Sequence, residues 1–196
     1  DYRNAKNVAL ARSYMALGRF DKTYEVMSSD RGFAVNAFLD NLFSGALLGG
    51  RSNWLWQELP RGYMLNKALL ETGRVADARA GFDRLLGFPQ IVENGEIAWM
   101  ILFGRGTIAE REGQADAAAA FYQRSIAIIE AQRASINTEA SKIGFVGDKQ
   151  QVYGRLIALY TRGKKYAEAL QYIERARSRA LVDMLAEKQD LSLIHI

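Results

Sequence analysis

Residues 148–180 read DKQQVYGRLIALYTRGKKYAEALQYIERARSRA, and this stretch decides the fold. Its first half places apolar side chains at i, i+4, i+7 and i+8, namely Val152, Leu156, Leu159 and Tyr160. A turn follows at 163–165. The second half carries another apolar stripe, namely Tyr166, Ala169, Leu170, Ile173, Ala176 and Ala180. Because each stripe can be buried against the other, the stretch predicts an antiparallel helical hairpin.

The same chemistry recurs around three earlier turns. The four turn positions align at Gly18, Gly73, Gly113 and Lys164. Five residues after them lie Thr23, Ala78, Ala118 and Ala169, and nine residues after them lie Met27, Phe82, Tyr122 and Ile173. Four residues before them lie Tyr14, Leu69, Ala109 and Tyr160. Small residues let two helices approach closely and large apolar residues fill the gap beside the next helix, so the pattern predicts repeated hairpins.

The rest of the chain also reads as helix, because it has only two prolines and no stretch with the alternation typical of a sheet. The clearest helical period covers 35–47, where polar residues on the other face favour a half-buried helix over a membrane span. Pro60 is expected at the start of a helix that reaches Thr72. Other helices are expected at about 5–17, 21–28, 75–86, 95–112 and 115–142. We therefore expect one all-α domain over residues 1–190.

The repeated hairpin resembles the tetratricopeptide repeat, a helix-turn-helix unit of about 34 residues whose copies stack into an α-solenoid. The four turns here lie 55, 40 and 51 residues apart, so the repeats are irregular. The resemblance implies a TPR-like array that binds other proteins, and not an enzyme.

A second resemblance covers the stretch that ends at residue 187. Gly144 and Gly147 predict the end of one helix and the start of the next at Asp148, which can cap the amide of Gln151. The segment is similar to the one that joins tetratricopeptide repeats to a CHAT domain in bacterial proteins, and the matching positions are 136–145, 148–150, Tyr153, Ala169, 175–181 and Asp183. CHAT domains are caspase-like peptidases, so the resemblance implies the regulatory N-terminal part of a cysteine peptidase. The family's catalytic histidine and cysteine would follow this segment, and no position here matches them.

If the hairpins stack as in the family, the first helix of each lines a concave groove. Counting back from the turns gives the groove candidates Arg12, Tyr63, Lys67, Phe103, Thr107, Glu110 and Arg162. The basic members would make the groove mildly cationic. We expect it to bind a peptide with acidic side chains, while Tyr63 or Phe103 supplies apolar contact.

Composition excludes several kinds of site. The chain has no cysteine, which rules out disulfides, zinc-thiolate sites and a cysteine nucleophile within it, and its only histidine is His195. We expect no cofactor and no metal. The net charge of +4 is spread along the chain, and Arg175, Arg177 and Arg179 fan around their helix instead of lining one face. A stand-alone assembly scaffold is the first alternative function, and a nucleic-acid-binding helical repeat is the second.

Two further patterns are weak indicators of chemistry. Residues 104–109 match the dinucleotide fingerprint G-x-G-x-x-A, but no pair of strands surrounds them. Gly106 lies seven residues before Gly113, where the repeat pattern needs a small residue, so we expect it to allow close helix packing instead. Glu110 with Glu112, or Glu71 with Asp77, could be read as a pair of catalytic carboxylates. Charged helix faces supply such pairs routinely, so a solvated surface is the preferred interpretation.

The chain begins at Asp1 and ends in LSLIHI at 191–196. These last residues break the helical pattern without a capping residue, so we expect a non-native tail, and we expect the natural start to lie upstream. The compartment stays open, with the cytoplasm favoured. We expect a monomer or a weak dimer with a protein partner, and no nucleic-acid or membrane partner.

Overall fold

The structure is a computed structural model that describes residues 2–29, 54–134 and 149–177. The helix expected at 35–47, the last part of the helix expected to reach 142 and the Asp148 cap lie outside the described residues. Most of the segment that resembles the CHAT-linked region lies outside them as well.

Every regular element within the described ranges is helical, which confirms the predicted all-α class. The α-helices are α1 (Tyr2–Ala16), α2 (Phe20–Ser28), α3 (Trp54–Glu71), α4 (Val75–Leu86), α5 (Gly95–Arg111), α6 (Ala115–Ala134), α7 (Gln150–Arg162) and α8 (166–177). A 3-10 helix, Pro89–Glu93, lies between α4 and α5. Asn94 caps α5, since its side-chain oxygen accepts a hydrogen bond from the amide of Ile97 at 3.3 Å.

Contacts group the chain into two compact units, Asp1–Ile108 and Ala109–Ile196. In the first unit α1 packs on α2, α2 on α3, and α3 on α4. In the second unit α6 packs on α7. The boundary falls inside the continuous helix α5. The single domain expected over 1–190 stays a prediction.

One backbone conformation closes all four aligned turns. Gly18, Gly73 and Gly113 have φ values of 68°, 86° and 75°, and Lys164 has a φ of 57°. This left-handed region is accessible to glycine at little cost but strains other residues. The turn positions inferred from the sequence therefore share a conformation as well as a spacing.

The same hydrogen bonds recur in each turn. The amide of the residue after the left-handed one donates to the carbonyl five residues before itself, at 2.8 to 2.9 Å. The pairs are Arg19 to Tyr14, Arg74 to Leu69, Gln114 to Ala109 and Lys165 to Tyr160. This pattern is the Schellman motif, which satisfies carbonyls left over at a helix end. The carbonyl of the residue after the turn accepts the first hydrogen bond of the next helix, from the amide four residues later, at 2.9 to 3.0 Å, in the pairs Thr23 to Arg19, Ala78 to Arg74, Ala118 to Gln114 and Ala169 to Lys165.

The side chains predicted to pack around the turns are mostly buried. All four members at the fifth position are buried, with relative exposures of 0% for Thr23, Ala78 and Ala118 and 4% for Ala169. Met27, Phe82 and Tyr122 at the ninth position are also buried. Ile173, the fourth member, is only partly buried. The recurring pattern thus describes the interior of the first three hairpins better than that of the last.

The burial pattern of α8 corrects one prediction. Tyr166 and Leu170 were expected in the inward stripe, yet their relative exposures are 63% and 57%. Ala169 is buried as predicted, and Tyr172, which lay outside the predicted stripe, is buried as well. Both sets fit a helical period, and the ring of Tyr172 finds a tilted partner in Tyr160, with centroids 6.0 Å apart.

The start of α3 also differs from the prediction. The helix begins at Trp54, so Pro60 lies inside it and not at its first position. A proline there removes one backbone hydrogen bond and crowds the carbonyl four residues earlier, while Leu59 and Pro60 are themselves buried in the interior. Tertiary packing therefore overrides the local signal.

A close helix contact explains the first glycine of the apparent dinucleotide fingerprint. Residues 104–109 lie within α5 and follow no strand. A Cβ atom at Gly104 would lie 2.8 Å from Cε2 of Phe82, whose ring on α4 is fully buried. The close approach falls at Gly104, where only glycine allows it, whereas the packing role predicted for Gly106 stays a prediction.

Replacing Lys164 with glycine is expected to stabilise the protein by about 0.5–1 kcal/mol, because glycine relieves the left-handed strain and loses only part of this gain to unfolded-state entropy. The measurement is equilibrium urea unfolding. Ala158→Gly is the control, since Ala158 is exposed within α7 and glycine there should cost about 1 kcal/mol. Equal destabilisation by both variants would contradict the left-handed assignment.

Gly104→Ala is expected to destabilise the protein by about 1–3 kcal/mol, because the added methyl group overlaps the buried Phe82 ring. Gly154→Ala is the matched control, since nothing lies within 4 Å of a Cβ atom there and α7 should gain up to about 1 kcal/mol. Thermal unfolding compares the two. Adding Phe82→Leu to Gly104→Ala should recover part of the loss, and strictly additive effects would show that the two positions do not touch.

Candidate functional site

An open pocket of about 490 Å³ lies in the second unit. Its lining residues are Glu110, Arg111, Gly113, Ala115, Arg155, Leu159, Arg162 and Gly163. Gly113 and Gly163 belong to the third and fourth turns, so the turns themselves form part of its wall. The pocket brings together two of the predicted groove residues, Glu110 and Arg162.

Helical spacing places the charged side chains of the pocket. Glu110 lies in the last turn of α5, three residues before the left-handed Gly113. Arg155, Leu159 and Arg162 follow i, i+4 and i+7 on α7, so they share one face of that helix. Leu159 anchors this face in the core, with a relative exposure of 9%.

Three side chains converge on the Glu110 carboxylate. The Tyr122 hydroxyl donates a hydrogen bond to Oε2 at 2.8 Å. Nη2 of Arg162 donates to Oε1. Nη1 of Arg155 lies 3.5 Å from Oε2, within ion-pair distance. Because Tyr122 is fully buried, its hydroxyl fixes the carboxylate in one position.

The environment of Glu110 favours the charged carboxylate. Burial alone raises the pKa of Glu110. The hydrogen bonds from Arg162 and Tyr122 and the positive charge of Arg155 lower the pKa by more than burial raises it, so the pKa lies below its ordinary value of 4.5. The site therefore keeps a fixed negative charge at neutral pH.

The exposures of these groups decide what the pocket offers to a ligand. The Glu110 side chain has a relative exposure of 13%, whereas those of Arg155 and Arg162 are 52% and 61%. A guanidinium carries five N–H donors, and one carboxylate cannot use the donors of two. The two arginines can thus bind another anion, and Leu159 supplies apolar surface between them.

The other five groove candidates lie in the first unit. Tyr63 is partly buried, with its ring 6.4 Å from that of Phe82. Lys67 donates a hydrogen bond to Glu71 at 2.6 Å, and its Nζ lies 5.9 Å from the centroid of the Phe20 ring. The remaining candidates are Arg12, which is exposed, Phe103, which is partly buried, and Thr107, which is buried.

Thr107 does not present its hydroxyl to the surface. Its relative exposure is 7%, and the hydroxyl donates to the carbonyl of Phe103 at 3.0 Å within α5. Arg12, Tyr63, Lys67 and Phe103 keep some accessible surface. Their assignment to a groove stays a prediction.

Sequence reasoning missed the roles of two residues: Arg155, which lines the pocket, and Tyr122, which holds the Glu110 carboxylate. Arg155 lies seven residues before Arg162 on the same helix, and this spacing could have shown that the two share a face. The Tyr122 hydroxyl was hidden because Tyr122 was predicted only as an apolar filler. Its bond to Glu110 joins α6 to the end of α5 and could not be read from a periodic pattern.

Three of the four carboxylates that the sequence pairs with one another, Glu110, Glu71 and Asp77, have cationic partners in the structure. Glu71 is paired with Lys67, and Asp77 accepts from Arg74 at 2.7 Å. Within the described residues, no group of three or more acidic, histidine or cysteine side chains could hold a metal ion. In the same part of the chain, no helix is both long and apolar enough to cross a membrane.

A second ion-pair network accounts for one of the arginines of α8. Arg175 donates to Glu130 at 2.5 Å and lies 4.9 Å from the centroid of the Tyr172 ring. Tyr153 donates to the same carboxylate at 2.9 Å. Arg177 instead pairs with Glu174 at 3.4 Å. The two arginines therefore have different partners, and the prediction that Arg175, Arg177 and Arg179 form no phosphate-binding stripe stays a prediction.

Comparisons with known proteins found no match to any family model, curated protein or solved structure.

The lowered pKa of Glu110 gives the unfolding free energy a predictable pH dependence. Below about pH 4.5 the unfolded chain takes up a proton at Glu110 before the folded chain does, so this contribution to stability is lost as the pH falls through the folded pKa. Urea unfolding of the wild type and Glu110→Gln from pH 7 to pH 3 should give free energies whose difference shrinks with acid. Arg162→Gln should weaken the same dependence. Parallel curves for wild type and Glu110→Gln down to pH 3 would contradict the assignment.

Proposed function

We propose that this chain is a protein-protein interaction module of tetratricopeptide type. The observation that carries the proposal is that one turn occurs four times. Each copy has a left-handed residue, the same backbone hydrogen bonds, and a buried alanine or threonine five residues after the left-handed one. Left-handed turns end many helices, so the buried residue that recurs at a fixed distance after each turn is what favours a repeat over an irregular bundle. Repeated helical hairpins expose long surfaces on rigid backbones, which suits them to peptide binding.

The pocket of the second unit supports a partner with acidic side chains. Arg155 and Arg162 keep guanidinium donors accessible on one face of α7, and the residue between them on that face, Leu159, is apolar. Glu110 holds both arginines in place, so a ligand does not bear the full cost of ordering them. An acidic side chain beside an apolar one matches this surface.

We further propose that the module regulates a caspase-like peptidase of the CHAT class. This part rests on the resemblance of residues 136–187 alone. In that arrangement, a partner bound to the repeats would act on the peptidase through the segment that contains α8. Sequencing the source DNA beyond the codon for Gln189 tests this part: an open reading frame with a caspase-like His and Cys supports it, and an early stop codon favours the stand-alone scaffold.

The interaction function is tested by selecting displayed random peptides on the full chain. Selected peptides should share an acidic residue. Arg162→Gln should lower their affinity about tenfold, which is the contribution of one charge-assisted hydrogen bond. Arg124→Gln, at an exposed position of α6 outside the pocket, is the control. Tyr63→Ala and Lys67→Ala ask whether the peptide extends onto the first unit.

Two outcomes would count against this function. Failure to enrich any peptide family would remove the support for a peptide-binding module. Preferential binding of a labelled single-stranded oligonucleotide, with affinity that falls steeply with salt, would favour the nucleic-acid alternative.

A further inference from the structure

We propose that Glu110 determines ligand specificity by limiting the pocket to one acidic group of a bound peptide. This inference rests on the proposed function, because it concerns a peptide bound in the same pocket. It also revises the role expected from the sequence, in which Glu110 was one of the groove residues that touch the peptide.

The first step is a balance of charge. Arg155 and Arg162 bring two positive charges to a single carboxylate, so among the residues that the structure describes one positive charge is left without a counter-ion. Arg111 also lines the pocket but is engaged in another interaction. The pair on α7 therefore has the capacity for one additional monoanionic group.

The second step is the immobility of the negative charge. Glu110 is largely buried, and the Tyr122 hydroxyl holds it from the protein interior. The carboxylate cannot turn outward without leaving that hydroxyl unsatisfied. Ligands thus meet a negative charge that stays in place, beside two arginines that are more than half exposed.

The third step concerns which peptides fit. One acidic side chain can bind the remaining donors of Arg155 and Arg162, and an adjacent apolar side chain can contact Leu159 between them. A second acidic side chain would face Glu110 without a cation of its own. Repulsion between like charges then selects against runs of acidic residues.

The test compares two labelled synthetic peptides by NMR-detected titration of the full chain. One carries a single glutamate between two leucines, and the other carries two adjacent glutamates between the same leucines. In the wild type the single-glutamate peptide should bind at least as tightly. In Glu110→Gln the ratio of the two affinities should shift about fivefold or more toward the two-glutamate peptide.

Two variants separate specificity from total charge and from structural damage. Glu112→Gln makes the same change in net charge two residues further along the chain and outside the pocket lining, so it should leave the ratio unchanged. Glu110→Asp keeps the charge and should stay close to the wild-type ratio. An unchanged ratio in a folded Glu110→Gln, with the single-glutamate peptide still bound, would overturn this inference and leave the proposed function intact.

A further variant keeps the inference testable if Glu110→Gln does not fold. In Arg155→Gln the remaining Arg162 is balanced by Glu110, so binding of the single-glutamate peptide should fall about tenfold, whereas Arg124→Gln should retain it. Undiminished binding by Arg155→Gln would overturn the charge balance. Absence of binding by either peptide to the wild type would count against the proposed function itself.

Discussion

The left-handed residue at the end of the first helix of each hairpin is the constraint on which the rest of the structure depends. A helix end leaves carbonyl groups without partners, and the left-handed turn returns the chain so that the next amide reaches the first of them. The residue that donates this bond then accepts the first bond of the second helix. One dihedral angle therefore ends one helix, starts another and sets how the two meet.

The pocket is a consequence of the same turn geometry. Gly113 ends α5 just after Glu110, and the fourth turn ends α7 just after Arg162. Both charged residues therefore lie at helix ends, where a side chain can reach another helix while part of it stays in water. Tyr122 enters from α6, so closure of the third hairpin supplies the hydroxyl that fixes the carboxylate. The charge of Glu110 is therefore held by contacts from α6 and α7 to the end of α5.

Sequence patterns predicted the interior around the turns because periodicity and the size of a side chain determine burial directly. Thr23, Ala78 and Ala118 were identified from spacing alone, and all three are fully buried. The pattern failed on α8, where two overlapping apolar stripes fit the same period and only packing selects the one with Tyr172. It also failed for Pro60, because burial outweighed a local preference. Within the pocket, Arg162 and Glu110 were predicted separately, but the hydrogen bond from Tyr122 depends on tertiary structure that no spacing encodes.

The hydrogen bonds that define each turn join residues only three to five positions apart in the chain. Closing so short a loop costs little entropy and takes far less time than assembling distant segments. Each hairpin can therefore form as soon as its two helices have been synthesised, without waiting for the rest of the polypeptide. We expect the described part of this protein to have low contact order and to mature hairpin by hairpin as it leaves the ribosome, which limits how long its apolar stripes are exposed to aggregation.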